Sequence, residues 1–107
     1  MHDPFTDRVV EIIKQIPLGS VSTYGLIARF AGNPRAARQV ARILHSLSEK
    51  EHLPWHRVIN AKGEIVVGSE LDREEQATLL RREGVDVSDE HRVDLGRFLW
   101  KRMELNG

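Results

Sequence analysis

Apolar residues at Phe5, Val9, Ile12, Ile13 and Ile16 recur at intervals of three and four, the period of one helix face. Asp3-Pro4 precedes them as a cap and a first-turn proline, so the spacing predicts a helix from about Pro4 to Ile16. Pro17-Leu18-Gly19 stops it. Ser22 or Thr23 can then cap a second, short helix through Leu26, Ile27 and Phe30, closed by Gly32 in a left-handed conformation. Asn33-Pro34 is a further cap and proline, and the run from Arg35 to Leu44 contains no breaker, which predicts a third helix with Val40, Ile43, Leu44 and Leu47 inward.

A polar loop from Ser46 to His52 follows. The pattern then changes to β-branched runs, Val58-Ile59 and Ile65-Val66-Val67, on either side of Asn60-Ala61-Lys62-Gly63, which predicts a small hairpin. Asp72, three before Glu75, reads as the start of a fourth helix to Glu83, with Leu79 and Leu80 inward and Gly84 closing it. Val85 and Val87 make a short extended piece, and the apolar residues from Val93 to Trp100 are expected to lie back on the core. The whole is a mostly α fold with a small β-hairpin, read as one domain over residues 1–107.

Composition adds limits to this picture. At 107 residues the chain can bury one modest core. No apolar run approaches the ~20 residues that span a bilayer, and Met1-His2-Asp3-Pro4 has no secretory character. A cytoplasmic protein with no membrane association is expected. There is no cysteine, which excludes thiol catalysis and Cys-rich zinc sites, and the five histidines (2, 45, 52, 56 and 91) include no HExxH pattern. Neither a metal nor a cofactor is expected.

Charge changes the picture more. The net charge is zero, yet from Leu18 to Ser48 there is no Asp or Glu, while Arg29, Arg35, Arg38 and Arg42 all fall there. A neutral total can thus hide a basic face. Arg35, Arg38 and Arg42 are three and four apart on the third helix, and Ala36 and Ala37 relieve its bulk. Two helices joined by Gly-Asn-Pro, the second arginine-rich, suggest a helix-turn-helix, although a solvated helical hairpin would show the same charges.

One motif, Pro54-Trp55-His56-Arg57-Val58-Ile59, has an aromatic where a nucleophile would make sense. In order, VSTYGLIA, AGNPRAARQVARIL, LPWHRVINAKGEI and a helix ending RREGV resemble the DNA-binding domain of the O6-alkylguanine-DNA alkyltransferases. They resemble more closely the alkyltransferase-like proteins, in which the reactive cysteine of a PCHRV motif is replaced, commonly by tryptophan. The match runs from about Phe5 to Trp100 and implies a winged helix-turn-helix DNA-binding domain, without the additional N-terminal domain usual in the enzymes.

The resemblance implies roles residue by residue. Tyr24 matches the tyrosine that crowds a DNA phosphate and rotates the damaged nucleotide out. Arg38 matches the arginine finger that fills the vacated place through the minor groove. Trp55 stands at the alkyl-acceptor position, and His56 and Glu83 match the pair that helps deprotonate the cysteine. Val58 and Ser69 match positions near the base and are expected to line a lesion pocket. Two positions depart from the pattern: Gly68 aligns near an arginine that contacts the modified base in some members, and Leu47 stands where the enzymes have a structural asparagine.

These roles make chemical sense without the name. A damaged base must leave the stack to be read, at a cost of a few kcal/mol. A long planar cation such as Arg38 can stack in the gap, Arg35 and Arg42 can contact phosphate, and the phenol of Tyr24 can do both. An indole offers no thiolate chemistry, so Trp55 can bind an alkyl group but cannot accept one, and His56 and Glu83 become structural remnants. Trp55 as a plug for a disused pocket is the competing reading. The expected function is therefore a monomeric, non-enzymatic sensor of O6-alkylguanine in double-stranded DNA. Family resemblance implies transfer of the lesion to nucleotide excision repair, with UvrA as partner. A regulator reading undamaged major-groove sequence through Arg35, Arg38 and Arg42 is the alternative.

Overall fold

The computed structural model describes residues 3–102, so His2 lies outside it. Its elements are α1 (Pro4–Gln15), β1 (Ser22–Thr23), α2 (Tyr24–Phe30), α3 (Ala37–Leu47), a 3₁₀ turn (Trp55–Arg57), β2 (Val58–Ile59), α4 (Glu70–Arg82) and α5 (Leu95–Phe98). The domain is mostly helical with a small sheet, as the sequence predicts. Asp3 caps α1 by accepting from the Thr6 N–H at 2.9 Å, with Pro4 in the first turn, and Val9, Val10, Ile12 and Ile13 are buried along one side.

Thr23, and not Ser22, caps α2, accepting from the Leu26 N–H at 3.1 Å. Gly32 at φ +101° ends α2 in a Schellman motif, where the Gly32 N–H donates to the Arg29 carbonyl and the Asn33 N–H to that of Ala28. Arg8 reaches from α1 to donate to the Ala31 carbonyl at 2.7 Å, so the end of α2 is fixed on α1. The next helix begins later than the sequence suggests. Asn33 Oδ1 accepts from the Arg35 N–H at 3.2 Å and the Asn33 carbonyl from the Ala36 N–H, which winds residues 33–36 into a turn before α3 starts at Ala37.

The expected hairpin does not pair with itself. Its turn forms, with Asn60 Oδ1 accepting from the N–H groups of Lys62 and Glu64. Val58 and Ile59, however, pair in parallel with Ser22 and Thr23. The stretch at Glu64 bridges instead to Arg92, through Ile65 N–H to the His91 carbonyl and Val93 N–H to that of Gly63. Each run is thus satisfied by a distant segment, which local turn chemistry cannot reveal. Strand alternation sends Val58 into one core, under α1, α2 and α3, and Ile59 into a second with Val21, Ile65, Ala77, Leu80 and Val85. The tail closes on both: Val21 exchanges backbone hydrogen bonds with Phe98 and Trp100, and Trp100 meets Phe30 edge-on.

The fourth helix also starts elsewhere than expected. Ser69 is the cap and Asp72 the third residue inside, the two sharing a reciprocal capping box (Asp72 N–H to Ser69 Oγ 3.2 Å, Ser69 N–H to Asp72 Oδ2 3.0 Å). Both Ser69 and Asp72 have an acid three residues on, and the reciprocal pair forms one turn earlier than expected, at Ser69; along the helix Gln76, Ala77 and Leu80 are buried and Leu79 is half-buried. Gly84 at φ +89° ends α4 and leaves Glu83 as its C-terminal cap.

That position sets a carboxylate at the negative end of a helix, which is unfavourable in isolation. Arg57 compensates it: Nε donates to Glu83 Oε1 and Nη2 to Oε2, both at 2.8 Å, while Nη1 donates to the Ile16 carbonyl at the end of α1. His56 Nε2 meets Glu83 Oε2 at 2.7 Å. From the other side Gln76 Nε2 donates to the carbonyls of His56 and Val58, each at 3.0 Å. The 3₁₀ turn is therefore held to α1 and α4 through two of its three residues, His56 and Arg57.

The Arg57 hydrogen bonds, helped by that of His56, hold the Glu83 carboxyl at about 2, well below its ordinary 4.5. Its folded value is depressed, so its stabilisation is complete above about pH 4.5 and lost as the pH falls towards 2. Arg57→Ala, which leaves Glu83 unpaired, is expected to lower the unfolding free energy in urea by about 3 kcal/mol at neutral pH. Glu83→Gln is expected to cost on the order of 2 kcal/mol at pH 7 once solvent screening is allowed for, and its difference from wild type should shrink below pH 4.5. A difference that stayed constant down to pH 2 would contradict this account.

Candidate DNA-lesion site

A cleft of about 620 Å³ opens between α3, the 3₁₀ turn and the start of α4. Tyr24, the first residue of α2, and Trp55, the first of the 3₁₀ turn, both line it. Ala41, Leu44, His45 and Ser48 line it from α3 and its cap, at the i, i+3, i+4 and i+7 positions of one helical stripe. Val67, Gly68, Asp72 and Glu75 close the opposite side. The sequence reading missed the α3 contribution, although this stripe was there to be found beside the arginine spacing.

Trp55 is half-buried, packed on the helical core and edge-on to the His56 ring at 6.1 Å and 83°. Because His56 and Arg57 are both drawn to Glu83, the indole is the one side chain of the turn left to the cleft. Tyr24 is half-buried, and burial pushes its phenol upward, so it remains a protonated donor at neutral pH. The ionised Glu83 makes His56 Nε2 the donor in their contact.

Arg38 is exposed in the first turn of α3, three residues before Ala41 and seven before His45, on the stripe that continues into the cleft. Arg42 is exposed one turn further along α3, whereas Arg35 sits in the turn before the helix. Among the described residues the side chains of Arg29, Arg35, Arg38 and Arg42 make no hydrogen bond or ion pair within the protein, which leaves their charges available to an outside anion.

Two residues expected at the pocket stand elsewhere. Val58 is fully buried, since strand alternation turns it into the helical core and away from the cleft. Ser69 is exposed but outside the cleft lining, its oxygen accepting the Asp72 N–H as the cap of α4. Gly68 does line the cleft, at φ +46°, and a Cβ there would run into the Asp72 carboxylate. An arginine at this position would require the capping box to be rebuilt. Leu47 packs against the helical core.

His52 and His56 are four apart, a spacing that pairs ligands on a helix, but Pro54 and the 3₁₀ turn intervene and His56 faces Glu83. The His91, Glu70 and Glu74 side chains lie within 4.8 Å of one another, a grouping that sequence spacing did not indicate. Glu74 and His91 meet at 2.6 Å, a hydrogen bond that ties the 91 loop to α4 and lowers the Glu74 carboxyl. Among the described residues no helix is long and apolar enough to cross a membrane.

The chain is similar to known proteins along most of its length. Residues 4–85 match the family model of the 6-O-methylguanine DNA methyltransferase DNA-binding domain. The DNA base-flipping protein of Escherichia coli K12 is 50% identical over 100 residues, spanning 92% of this chain and 76% of the relative. Alkyltransferase-like protein 1 of Schizosaccharomyces pombe is 39% identical, spanning 92% of this chain and 96% of its own. The crystal structure of S. pombe Atl1 with damaged DNA containing O6-carboxymethylguanine superposes with a TM-score of 0.85 at 37% identity, over 95% of this chain and 99% of that one. The Mycobacterium tuberculosis O6-methylguanine methyltransferase superposes with a TM-score of 0.62 at 29% identity, and the match covers 90% of this chain but 55% of the enzyme. With its helix-turn-helix fold and these relatives, the chain belongs to the alkyltransferase-like family, which shares the DNA-binding domain of the 6-O-methylguanine DNA methyltransferases.

Proposed function

We propose that this protein is a non-enzymatic sensor that binds O6-alkylguanine in double-stranded DNA and holds it out of the stack without repairing it. The observation that carries the reading is the cleft itself: two aromatic side chains, Tyr24 and Trp55, face one space at the end of the Arg38 helix face. The basic segment from Leu18 to Ser48 supplies the phosphate-facing surface, docked in the minor groove. Arg38 enters the duplex and stacks in the gap, Tyr24 crowds the nucleotide's original place, and Trp55 forms the wall against which the extruded base and its alkyl group rest. An aromatic wall of this kind contributes ~1–3 kcal/mol per stacked base.

No alkyl transfer follows, because Trp55 stands at the acceptor position and the chain has no cysteine. The His56 and Glu83 pair is accordingly spent on holding the turn. A lesion held but not repaired needs a second actor, and we assign it to nucleotide excision repair, with UvrA as the bacterial damage sensor that receives the complex. The protein acts as a cytoplasmic monomer, since one lesion offers one site.

Binding to matched duplexes with and without a single O6-methylguanine, followed by mass analysis of the recovered DNA, tests the proposal. Tighter binding to the lesion with the methyl group retained is expected; equal affinities would sink the sensor reading, and loss of the methyl would sink the non-enzymatic one. Arg38→Ala should weaken lesion binding by about tenfold or more beyond the loss for Arg42→Ala, which removes a phosphate contact alone. Equal losses with parallel salt slopes would reduce Arg38 to an ordinary backbone contact.

A further inference from the structure

A second group of cations stands apart from the cleft, around the C-terminal end of α2. The tail is fixed against this end. Trp100 N–H donates to the Val21 carbonyl at 2.7 Å, and its ring meets Phe30 edge-on at 6.4 Å. Two residues on, the guanidinium carbon of Arg102 lies 5.2 Å from the centre of the Phe30 ring. Arg29 is exposed in the last turn of α2, Arg35 stands in the turn that follows, and Arg8 reaches in from α1. None of these arginines lines the cleft.

A helix end attracts cations through its free carbonyls, yet here those carbonyls are largely satisfied. That of Ile27 accepts from the Ala31 N–H, that of Ala28 from Asn33, that of Arg29 from Gly32, and that of Ala31 from Arg8 Nε. Arg8 is thus spent on the cap. The side chains of Arg29, Arg35 and Arg102 form no hydrogen bond or ion pair among the described residues, so their donors remain for an outside group. The mutual repulsion of gathered like charges is relieved by a bound anion. Resting on Phe30 also restricts the Arg102 side chain, so less entropy is lost when it meets one.

We propose that Arg29 and Arg102 form a second phosphate-binding surface, which holds the backbone of the duplex flanking the lesion while the α3 face and the cleft engage the lesion itself. This rests on the DNA partner of the sensor reading above and adds the tail to its footprint. Arg35, in the turn between α2 and α3, joins the two surfaces. Contacts to phosphate carry no base information, so this surface adds affinity for any duplex and no discrimination between them.

The test measures affinity from about 0.05 to about 0.2 M salt for matched duplexes with and without one O6-methylguanine. Each phosphate contact contributes about 0.9 to the slope of log affinity against log salt, and its loss weakens binding about five- to tenfold at about 0.1 M salt. Arg29→Ala and Arg102→Ala should each show that loss on both duplexes, leaving the ratio between the duplexes within about twofold of the wild-type one. The double alanine variant should flatten the slope by about 1.8, whereas Arg29→Lys and Arg102→Lys, which keep the charge, should retain the wild-type slope. Arg82→Ala, which removes an exposed arginine from the last turn of α4, should leave the slope as it is. Partial unfolding of a variant lowers its apparent affinity without flattening the slope, so the two effects are told apart. An unchanged slope in the double variant, a slope flattened as much by lysine as by alanine, equal flattening by Arg82→Ala, or a loss confined to the lesion duplex each overturns the proposal. If wild type binds both duplexes equally, the sensor reading falls, while the slopes on the unmodified duplex still decide this proposal.

Discussion

One carboxylate holds the functional end of this molecule together. Glu83 caps α4 at its electrostatically unfavourable end and is made tolerable by Arg57, whose third donor reaches the carbonyl of Ile16, the residue that caps α1. Two helices and the Trp55–Arg57 turn therefore meet on a single bidentate pair. Gln76 holds the same turn from below through the carbonyls of His56 and Val58. With both its flanks fixed, the turn presents the Trp55 indole to the cleft from a rigid base, the arrangement a binding wall requires.

In a thiol enzyme, a histidine backed by an ionised glutamate would serve to remove a proton. Here the same geometry lies beside an aromatic, and the contacts that the structure gives it are those that hold the turn. Arg57 and Glu83 also tie the end of α1 to α4, and removing either would loosen the turn that carries Trp55. Arginines without a partner among the described residues occupy α3 and the turn before it, whereas Glu49, Asp72 and Glu75 line the cleft.

The parts of this architecture written in local chemistry were legible in the sequence. Caps at Asp3 and Thr23, the left-handed glycines at 32 and 84, and the helical stripes of α1 and α3 all follow from neighbours within a few residues. What was not legible depends on distant partners. Val58-Ile59 could not announce that it pairs with Ser22-Thr23, and the Asn60 turn suggested a hairpin whose two runs in fact serve different segments. Ser69 and Asp72 offered the same local signal, an acid three residues on, so the sequence could not tell which of them caps α4. For the site, the family pattern gave Tyr24 to DNA contact and Trp55, Val58 and Ser69 to the pocket; Tyr24 and Trp55 line one cleft, whereas strand alternation turns Val58 into the helical core and capping holds Ser69 outside the cleft lining.

The central claim is that the rigidly held Trp55 meets the extruded base. Trp55 and Trp100 are the chain's two tryptophans, and Trp100 lies against Phe30 in the helical core. With Trp100→Phe, indole fluorescence reports Trp55 alone. Titration with an O6-methylguanine duplex should quench that emission strongly, because a base stacks on or beside the ring, while the matched unmodified duplex at equal occupancy should leave it nearly unchanged. Saturable binding of the lesion duplex with no more quenching than the unmodified one gives would show that the base does not reach Trp55, and would contradict the account.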